Sequence, residues 1–351
     1  MNKLILLPLV AFLLYFTIES PQIDSAFAID VGTLPFDIAI NPTNDRAYVA
    51  HADGTVHVIN TTTDTDILTI VVSAGKALTG IVVDTVTNKV YVANSGDSTV
   101  EVIDVDNENS LTTIALVSPQ DGVTPVGVFP VDVEINTNLD LLYVSNVLSA
   151  TVVVIDLDNN AIIDVLSGFD SPSRFTFDPN TDLMYMTNFF SNEVDVFDGL
   201  QNSFLGGTPL VDTITIGNGA DGIKYNSANL QIYTANSADD TISVIDADPL
   251  SEDYNTLIDT NPAGTNPASV TVDSDNNRIY VTNRDDGTLT VIDGTTDTVT
   301  KTIPTDTSTP TPRPRGLDVH SGTDDVYVTN GGFGMLQVPL PSLILLKNIP
   351  Q

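Results

Sequence analysis

From about residue 35 onward the chain alternates short apolar or alternating runs with Asn, Asp and Gly punctuation, and no stretch keeps a 3.6-residue apolar period. A Tyr-x-x-polar element recurs seven times, at Tyr48, Tyr91, Tyr143, Tyr185, Tyr233, Tyr280 and Tyr327, with spacings of 43, 52, 42, 48, 47 and 47 residues. Starting about eleven residues before each Tyr is a run such as Ile38-Ala39-Ile40, Ile81-Val82-Val83 or Val270-Thr271-Val272. Seven before each Tyr stands Asn41, Asp84, Asn136, Asp178, Asn226, Asp273 or His320. A hairpin of fixed length follows, opened by a side chain that bonds nearby backbone amides.

Downstream of each Tyr comes a third β-branched run: Thr55–Asn60, Thr99–Asp104, Thr151–Asp156, Glu193–Asp198, Thr241–Asp246 and Thr288–Asp293. A fourth run follows in most copies, for example Ile67–Val72 or Val299–Ile303. Each copy is thus four short antiparallel strands, a to d, and seven copies make an all-β, seven-bladed β-propeller. Copy seven departs from the pattern, its third strand falling on Met335 to Leu340 without the closing Asp. Ala28 to Gly32 stands where strand d precedes every other strand a, which predicts that it lies outermost in blade seven, with Leu343 to Ile349 competing for that edge.

Segments such as Pro35-Phe36-Asp37-Ile38-Ala39-Ile40-Asn41-Pro42 followed by Tyr48-Val49, and Tyr280-Val281-Thr282-Asn283 followed by Thr290-Val291-Ile292-Asp293, resemble the YVTN-type β-propeller repeat. The resemblance covers roughly residues 32–340. It implies a secreted or cell-surface protein that binds ligands on the face onto which the d–a connections open. Fold alone does not give function, which lives in the site.

The N-terminus carries an address of its own. Lys3, the apolar run Leu4 to Ile18 and Ala26-Phe27-Ala28 read as a secretory signal cleaved after about Ala28, leaving residues 29–351 as the propeller. Fifteen residues span roughly 22 Å as a helix, short of a ~30 Å hydrocarbon core, which favours cleavage over a retained anchor. The expected location is extracytoplasmic. Charge then narrows the partners. There are 46 acidic residues against 12 basic, a net −34, and only six of the acids are Glu, which leaves 40 Asp. Such a surface repels phosphate backbones, so no nucleic acid is expected. With 42% hydrophobic residues the chain nevertheless folds. Without Cys there is no disulfide, thiolate metal site or thiol nucleophile.

A residue repeated seven times by geometry carries no site information, so function belongs where the copies disagree. At eleven and twelve residues before each Tyr they differ in charge: Asp37, Asp132, Arg174, Asp221 and Arg315. Arg174 and Arg315, joined by Arg284 after Asn283, form a candidate anion-gripping trio; the structural alternative is that each Arg pairs with an aspartate. Phe189-Phe190 replaces small polar residues and reads either as an exposed contact or as packing against a neighbouring blade. Asp156-x-Asp158-x-Asn160 and Asp273-x-Asp275-x-Asn277 resemble the opening of a calcium loop but lack its Gly and its closing Glu. Calcium is the cofactor they would take, and it would then stabilise the fold beyond what sodium does. The three histidines, His51, His57 and His320, read as not converging.

No Gly-x-Ser-x-Gly or His-Glu-x-x-His occurs. Two functional classes remain. One is a binding or structural module, expected as a monomer, that contacts a surface protein, glycan or envelope component through its d–a face. The other is a metal-dependent lactonase or lyase acting on a small molecule at the central channel, with an ion held by carboxylates from three or more blades. A weaker third reading is an accessory to redox enzymes.

Overall fold

The computed structural model describes residues 25–32, 34–107, 109–198, 210–305, 313–331 and 342–347. The described residues form seven four-stranded antiparallel sheets and contain no helix. It is a seven-bladed β-propeller. In blade one the strands are Pro35–Asn41, Arg46–His51, Thr55–Asn60 and Thr65–Val71, running a to d from the centre outward. The six third strands read from the sequence coincide with those of the structure, and the fourth strands begin one to three residues earlier than the apolar pattern suggests.

Local chemistry explains the constant hairpins. The residue closing strand a accepts a backbone N–H from the turn: Thr43 onto Asn41 at 3.0 Å, Val86 onto Asp84 at 2.8 Å, Asn180 onto Asp178 at 2.9 Å. In blade seven His320 Nδ1 takes that role for Gly322 at 3.2 Å. Three residues before each Tyr the backbone turns left-handed, at Asp45, Asn88, Asp140, Asp182, Leu230, Asn277 and Asp324. Six of those seven are Asn or Asp, which tolerate that conformation best after Gly.

The core lies between blades rather than within one. Tyr48, Val56 and Val58 of blade one pack on Ile81, Val90 and Val92 of blade two, and equivalent layers recur around the ring. All seven repeat tyrosines are fully buried there. Where the next blade offers an acceptor, their hydroxyls reach it: Tyr185 to Asn255 at 2.7 Å, Tyr233 to Asp297 at 2.6 Å, Tyr327 to Asp64 at 3.1 Å. The repeated Tyr is an inter-blade residue. The Asn ending strand b reaches further than its own turn, for Asn236 and Asn283 donate to Ser243 and Thr290 on strand c, each at 2.9 Å.

Closure meets one expectation, since the N-terminal strand lies outermost in blade seven, and departs from another in the strand beside it. The third strand of blade seven is Ser342–Lys347, and Ser25–Asp30 lies outside it as the fourth. The two termini therefore do not compete for one edge; they occupy successive positions. The segment Met335 to Leu340 falls outside the described residues. Ile29 and Val31 complete the layer with Ile38, Val49 and Tyr327 that seals blade seven onto blade one.

Candidate functional site at the channel

The seven a strands line the central channel, and a β-bulge interrupts the start of each, for example between Pro130 and Asp132 and between Pro172 and Phe175. A bulge re-aims the side chains beside it. Here it places the position where the copies disagree at the d–a end of the channel. A cavity of about 220 Å³ lies within, lined among others by Asp37, Asp132, Glu134, Arg174, Lys224 and Asp318.

Arg174 stands at its heart. Its Nη1 donates to Asp37 Oδ2 at 2.8 Å and to Asp132 Oδ1 at 2.9 Å, bridging blades one, three and four. Burial opposes the Arg174 charge, but Asp37, Asp132 and Asp221 outweigh it and raise its pKa. Asp132 Oδ2 also accepts the Phe175 N–H at 3.0 Å. Burial pushes the Asp132 carboxyl up to about 7 even so, with Arg174 pulling down and Asp37 pushing up. Two glycines make room for this pair. A Cβ on Gly80 would stand 2.7 Å from Asp132 Oδ1, and one on Gly316 would collide with Asp37. These positions can hold only glycine while the aspartates stay where they are.

Deeper in the channel are residues that the sequence reading missed. Lys224 Nζ lies 3.6 Å from Glu134 Oε2, which raises the lysine's pKa, whereas burial raises that of Glu134. Asp318 accepts the Ile40 and Val319 N–H groups, each at 2.9 Å, and burial lifts it to about 6 against the pull of Lys224. All three stand nine residues before a repeat Tyr, where the other copies read Ala39, Val82, Thr176 and Thr271. The signal was present: the copies disagree in charge there too.

The mouth carries a second group. Arg284 Nη2 pairs with Asp221 Oδ2 at 3.4 Å, Arg313 Nη2 lies 3.9 Å from Asp285, and the Arg315 guanidinium stacks 4.6 Å above the Phe36 ring. Burial, then repulsion from Arg284, Arg174 and Arg313, pushes Arg315 down to about 10, with Asp221 opposing. The sequence contains six arginines, and four of them meet at this end of the channel. The predicted trio thus comes together. Arg174 and Arg284 also fulfil the alternative reading, each holding aspartates.

Phe189 and Phe190 lie on the same d–a side, packed edge-to-face on each other with centroids 5.3 Å apart, and Phe190 is 70% exposed. The acidic runs lie elsewhere. Asp156, Asp158 and Asn160 form the c–d turn of blade three, and Asp273, Asp275 and Asn277 the a–b turn of blade six, both on the opposite face. Their oxygens serve the turns: Asp156 accepts the Asp158 N–H at 2.9 Å, Asp273 accepts from Asn276 at 3.1 and 2.8 Å, and Asn277 accepts from Asn226 at 2.6 Å.

Two histidines do converge, contrary to expectation. The His51 and His57 rings are 4.4 Å apart, and His57 Nδ1 lies 2.6 Å from Asp66 Oδ2. His51 occupies the place of the Asn that ends the other b strands, and His57 the strand-c place of Glu101 or Asp195. The b–c turn one residue shorter in copy one hid that equivalence. Among the described residues no group of three or more His, Asp or Glu is arranged to hold a metal ion. The cation that Asp37 and Asp132 share is a guanidinium, so these carboxylates do not fit the expected divalent ion.

Among known proteins, the family model described as Lactonase, 7-bladed beta-propeller, matches residues 164–314. That span is less than half of the chain and carries Arg174, Asp221, Lys224, Arg284 and Arg313, but neither Asp37, Asp132, Arg315 nor Asp318. No curated protein matches the chain. The chain is similar, over blades four to six, to a family of seven-bladed propellers.

Proposed function

We propose that this is an extracytoplasmic YVTN-type propeller that acts as a binding module through its d–a face, and that the group it recognises is a carboxylate or similar anion on a glycan or other envelope component. The observation that carries this reading is the arginine group at the mouth. In a chain of net charge −34, four of the six arginines meet at one opening, where burial first and repulsion from Arg284, Arg174 and Arg313 second push the pKa of Arg315 down to about 10. A bound anion would relieve the part of that shift that comes from the neighbouring guanidinium groups. Arginine's planar fork suits a carboxylate in particular. Phe36 beneath Arg315 holds the plane of the guanidinium at the channel mouth. Titration calorimetry with glucuronate and succinate tests this. Binding is expected at low salt, weakening as salt rises, and Arg315→Gln is expected to raise Kd by roughly tenfold, the loss of about 1.4 kcal/mol. Absence of heat with both anions, or equal Kd in the variant, would sink the proposal.

A second reading, lactone hydrolysis at the same mouth, is favoured by the match over residues 164–314 together with the Asp132 carboxyl poised near neutrality. A base with that pKa suits activation of water at a carbonyl, and the arginines suit the developing oxyanion. Turnover of a lactone panel that rises with an apparent pKa near 7 and vanishes in Asp132→Asn would establish it. Turnover unaffected by Asp132→Asn would refute it.

A further inference from the structure

The b–c turns open on the same face as the arginine mouth, and they do not share one chemistry. In blades one, two, five and six they carry exposed aspartates: Asp53, Asp97, Asp239 with Asp240, and Asp285 with Asp286. In blades three and four they read Val147-Leu148-Ser149-Ala150 and Phe189-Phe190-Ser191-Asn192, with no acid. Leu148 is 69% and Phe190 70% exposed. The d–a connection entering blade three adds two more exposed apolar side chains, Val123 and Phe129. The other exposed large apolar side chains among the described residues lie on the outer d strands or in turns of the opposite face. The loops entering blades three and four also contain Asp121 and Asp170, and Asp121 is taken up by its own loop, accepting the Val123 and Thr124 N–H groups at 2.9 Å each. Single exposed apolar residues are ordinary, but a set confined to one sector of a face marks a contact site.

Phe129 is held there against its backbone preference. It is left-handed, with φ 61°, at the residue just before strand a, where blades four, five and six place Ser171, Gly219 and Asn266 in the same conformation. Gly and Asn suit that conformation, and a bulky aromatic does not. Leu34, the other large residue at this place, is half-buried, whereas Phe129 is 42% exposed. Core packing therefore accounts for little of the aromatic ring at Phe129, and contact with a molecule outside the chain accounts for it better.

Register ties this sector to the mouth. Asp132 lies opposite Ser145, three residues before Leu148, and the Phe189 N–H bonds the Ser171 carbonyl at 3.1 Å, three residues before Arg174. Arg284 belongs to the b–c turn of blade six, and Arg313 and Arg315 to the start of blade seven. In a ring of seven, blades three and four stand across the channel from blades six and seven, so the mouth has an apolar side and a guanidinium side. We propose that the ligand of the mouth is a single amphiphilic carboxylate, whose anionic head is held by Arg315 with Arg284 and Arg313 beside it while its apolar body lies on Phe129, Leu148 and Phe190. The proposal rests on the anion reading above and adds to it the class of ligand. A flat anionic membrane laid on this face would meet the aspartates of four other blades, and so would a second copy of the chain; one molecule lying across the mouth avoids that repulsion.

Titration calorimetry with acetate, hexanoate, octanoate and decanoate, each below its micelle concentration, tests the assignment. Affinity is expected to rise roughly twofold per added methylene, because an open rim takes only part of each methylene out of water. The double variant Leu148→Ser, Phe190→Ser, altered only in exposed turns, is expected to flatten that series while Tm and the affinities for succinate and glucuronate stay as they were. Arg315→Gln is expected to weaken every member of the series by one common factor. A flat series in the unaltered protein overturns the inference and leaves the anion reading standing if succinate and glucuronate bind. No heat with any carboxylate overturns both. A series that stays steep in the double variant places the apolar body elsewhere and also overturns the inference. So does sedimentation with phosphatidylglycerol vesicles that decanoate fails to compete, which would give the sector to a membrane surface, or a dimer abolished by the double variant, which would give it to a second copy.

Discussion

The two faces of the propeller are built from the same seven copies and differ in what the copies do. On the a–b and c–d face the copies agree. Asn or Asp closes strand a in six blades, its side chain holds the turn amides, and several such residues also reach the neighbouring blade, as Asn226 does to Asn277 at 2.6 Å. On the d–a face and in the channel just below it the copies disagree, and the disagreements meet: Asp37 and Asp132 on Arg174, Glu134 beside Lys224, Asp221 beside Arg284. Repetition is what a ring of blades needs for closure. Deviation at one end is affordable only because glycine at Gly80 and Gly316 and the bulges in the a strands make room for it. The comparison predicts that stability and ligand binding separate by face.

The largest expected effect lies at the one place where the two roles overlap. Arg174→Leu leaves Asp37 and Asp132 buried without their shared cation, and breaking a buried pair of this kind costs about 3–5 kcal/mol. Denaturant unfolding at pH 8 is expected to show that loss. The loss should shrink below pH 6, where a carboxyl with a pKa near 7 is protonated and no longer needs the guanidinium. A loss independent of pH would mean that Arg174 acts by packing alone.

Next in size is the pH profile of the unaltered protein. Asp132 at about 7 and Asp318 at about 6 lie above the ordinary carboxyl value, and Glu134 is raised as well. Groups raised in the folded state bind protons more tightly there than in the unfolded chain. Their stabilising contribution is therefore complete near pH 4 and is lost as pH rises through 6 and 7. Lower net charge at acid pH relieves self-repulsion in the same direction. Tm is expected to be higher at pH 5.5 than at pH 8, and Asp132→Asn should flatten that difference. A Tm that rises from pH 5.5 to 8 would contradict the assignment.

Much of this was legible in the sequence because the repeat is geometric. A fixed distance from Asn41 or Asp84 to the next Tyr can be met only by a hairpin of one length, so strand order, blade count and the inter-blade place of Tyr follow from counting. Arg174, Arg284 and Arg315 were also legible, as rare charges at a position that varies. Lys224, Glu134 and Asp318 escaped because they sit inside an apolar-looking run, and only the register of strand a shows that position nine before Tyr faces the channel. The partner of Arg174 could not be read at all, since Asp37 and Asp132 come from blades one and three and are brought to it by ring closure. The third strand of blade seven was misplaced because an insertion shifts it outside the spacing that the other six copies keep.

On the repeated face a single substitution should do less, and do it only to stability. Asn226→Ala removes the acceptor for the Ala228 N–H at 3.0 Å and the donor to Asn277. Two neutral hydrogen bonds together are worth roughly 1–3 kcal/mol. Chemical denaturation is expected to register that loss while the affinity for glucuronate stays as it was. Arg315→Gln should give the mirror result, with binding weakened and Tm nearly unchanged. If Asn226→Ala weakened binding as much as Arg315→Gln does, the division between the faces would be withdrawn.

The smallest expected effect is the difference between calcium and sodium. Any folded chain with 46 acidic and 12 basic residues gains from screening, so Tm should rise with salt of either kind. A calcium-specific increment requires several oxygens free to converge on one ion at 2.3–2.6 Å. In the c–d turn of blade three Asp156 already accepts the Asp158 N–H. In the a–b turn of blade six both oxygens of Asp273 accept from Asn276, and Asn277 accepts from Asn226. Binding an ion there would first break these turns, which offsets what coordination supplies. Melting curves in sodium and calcium chloride at matched ionic strength are therefore expected to coincide. A clear excess with calcium, abolished by Asp273→Asn but not by Arg315→Gln, would show that the turn face carries a site of its own and that the two faces do not divide their labour as proposed.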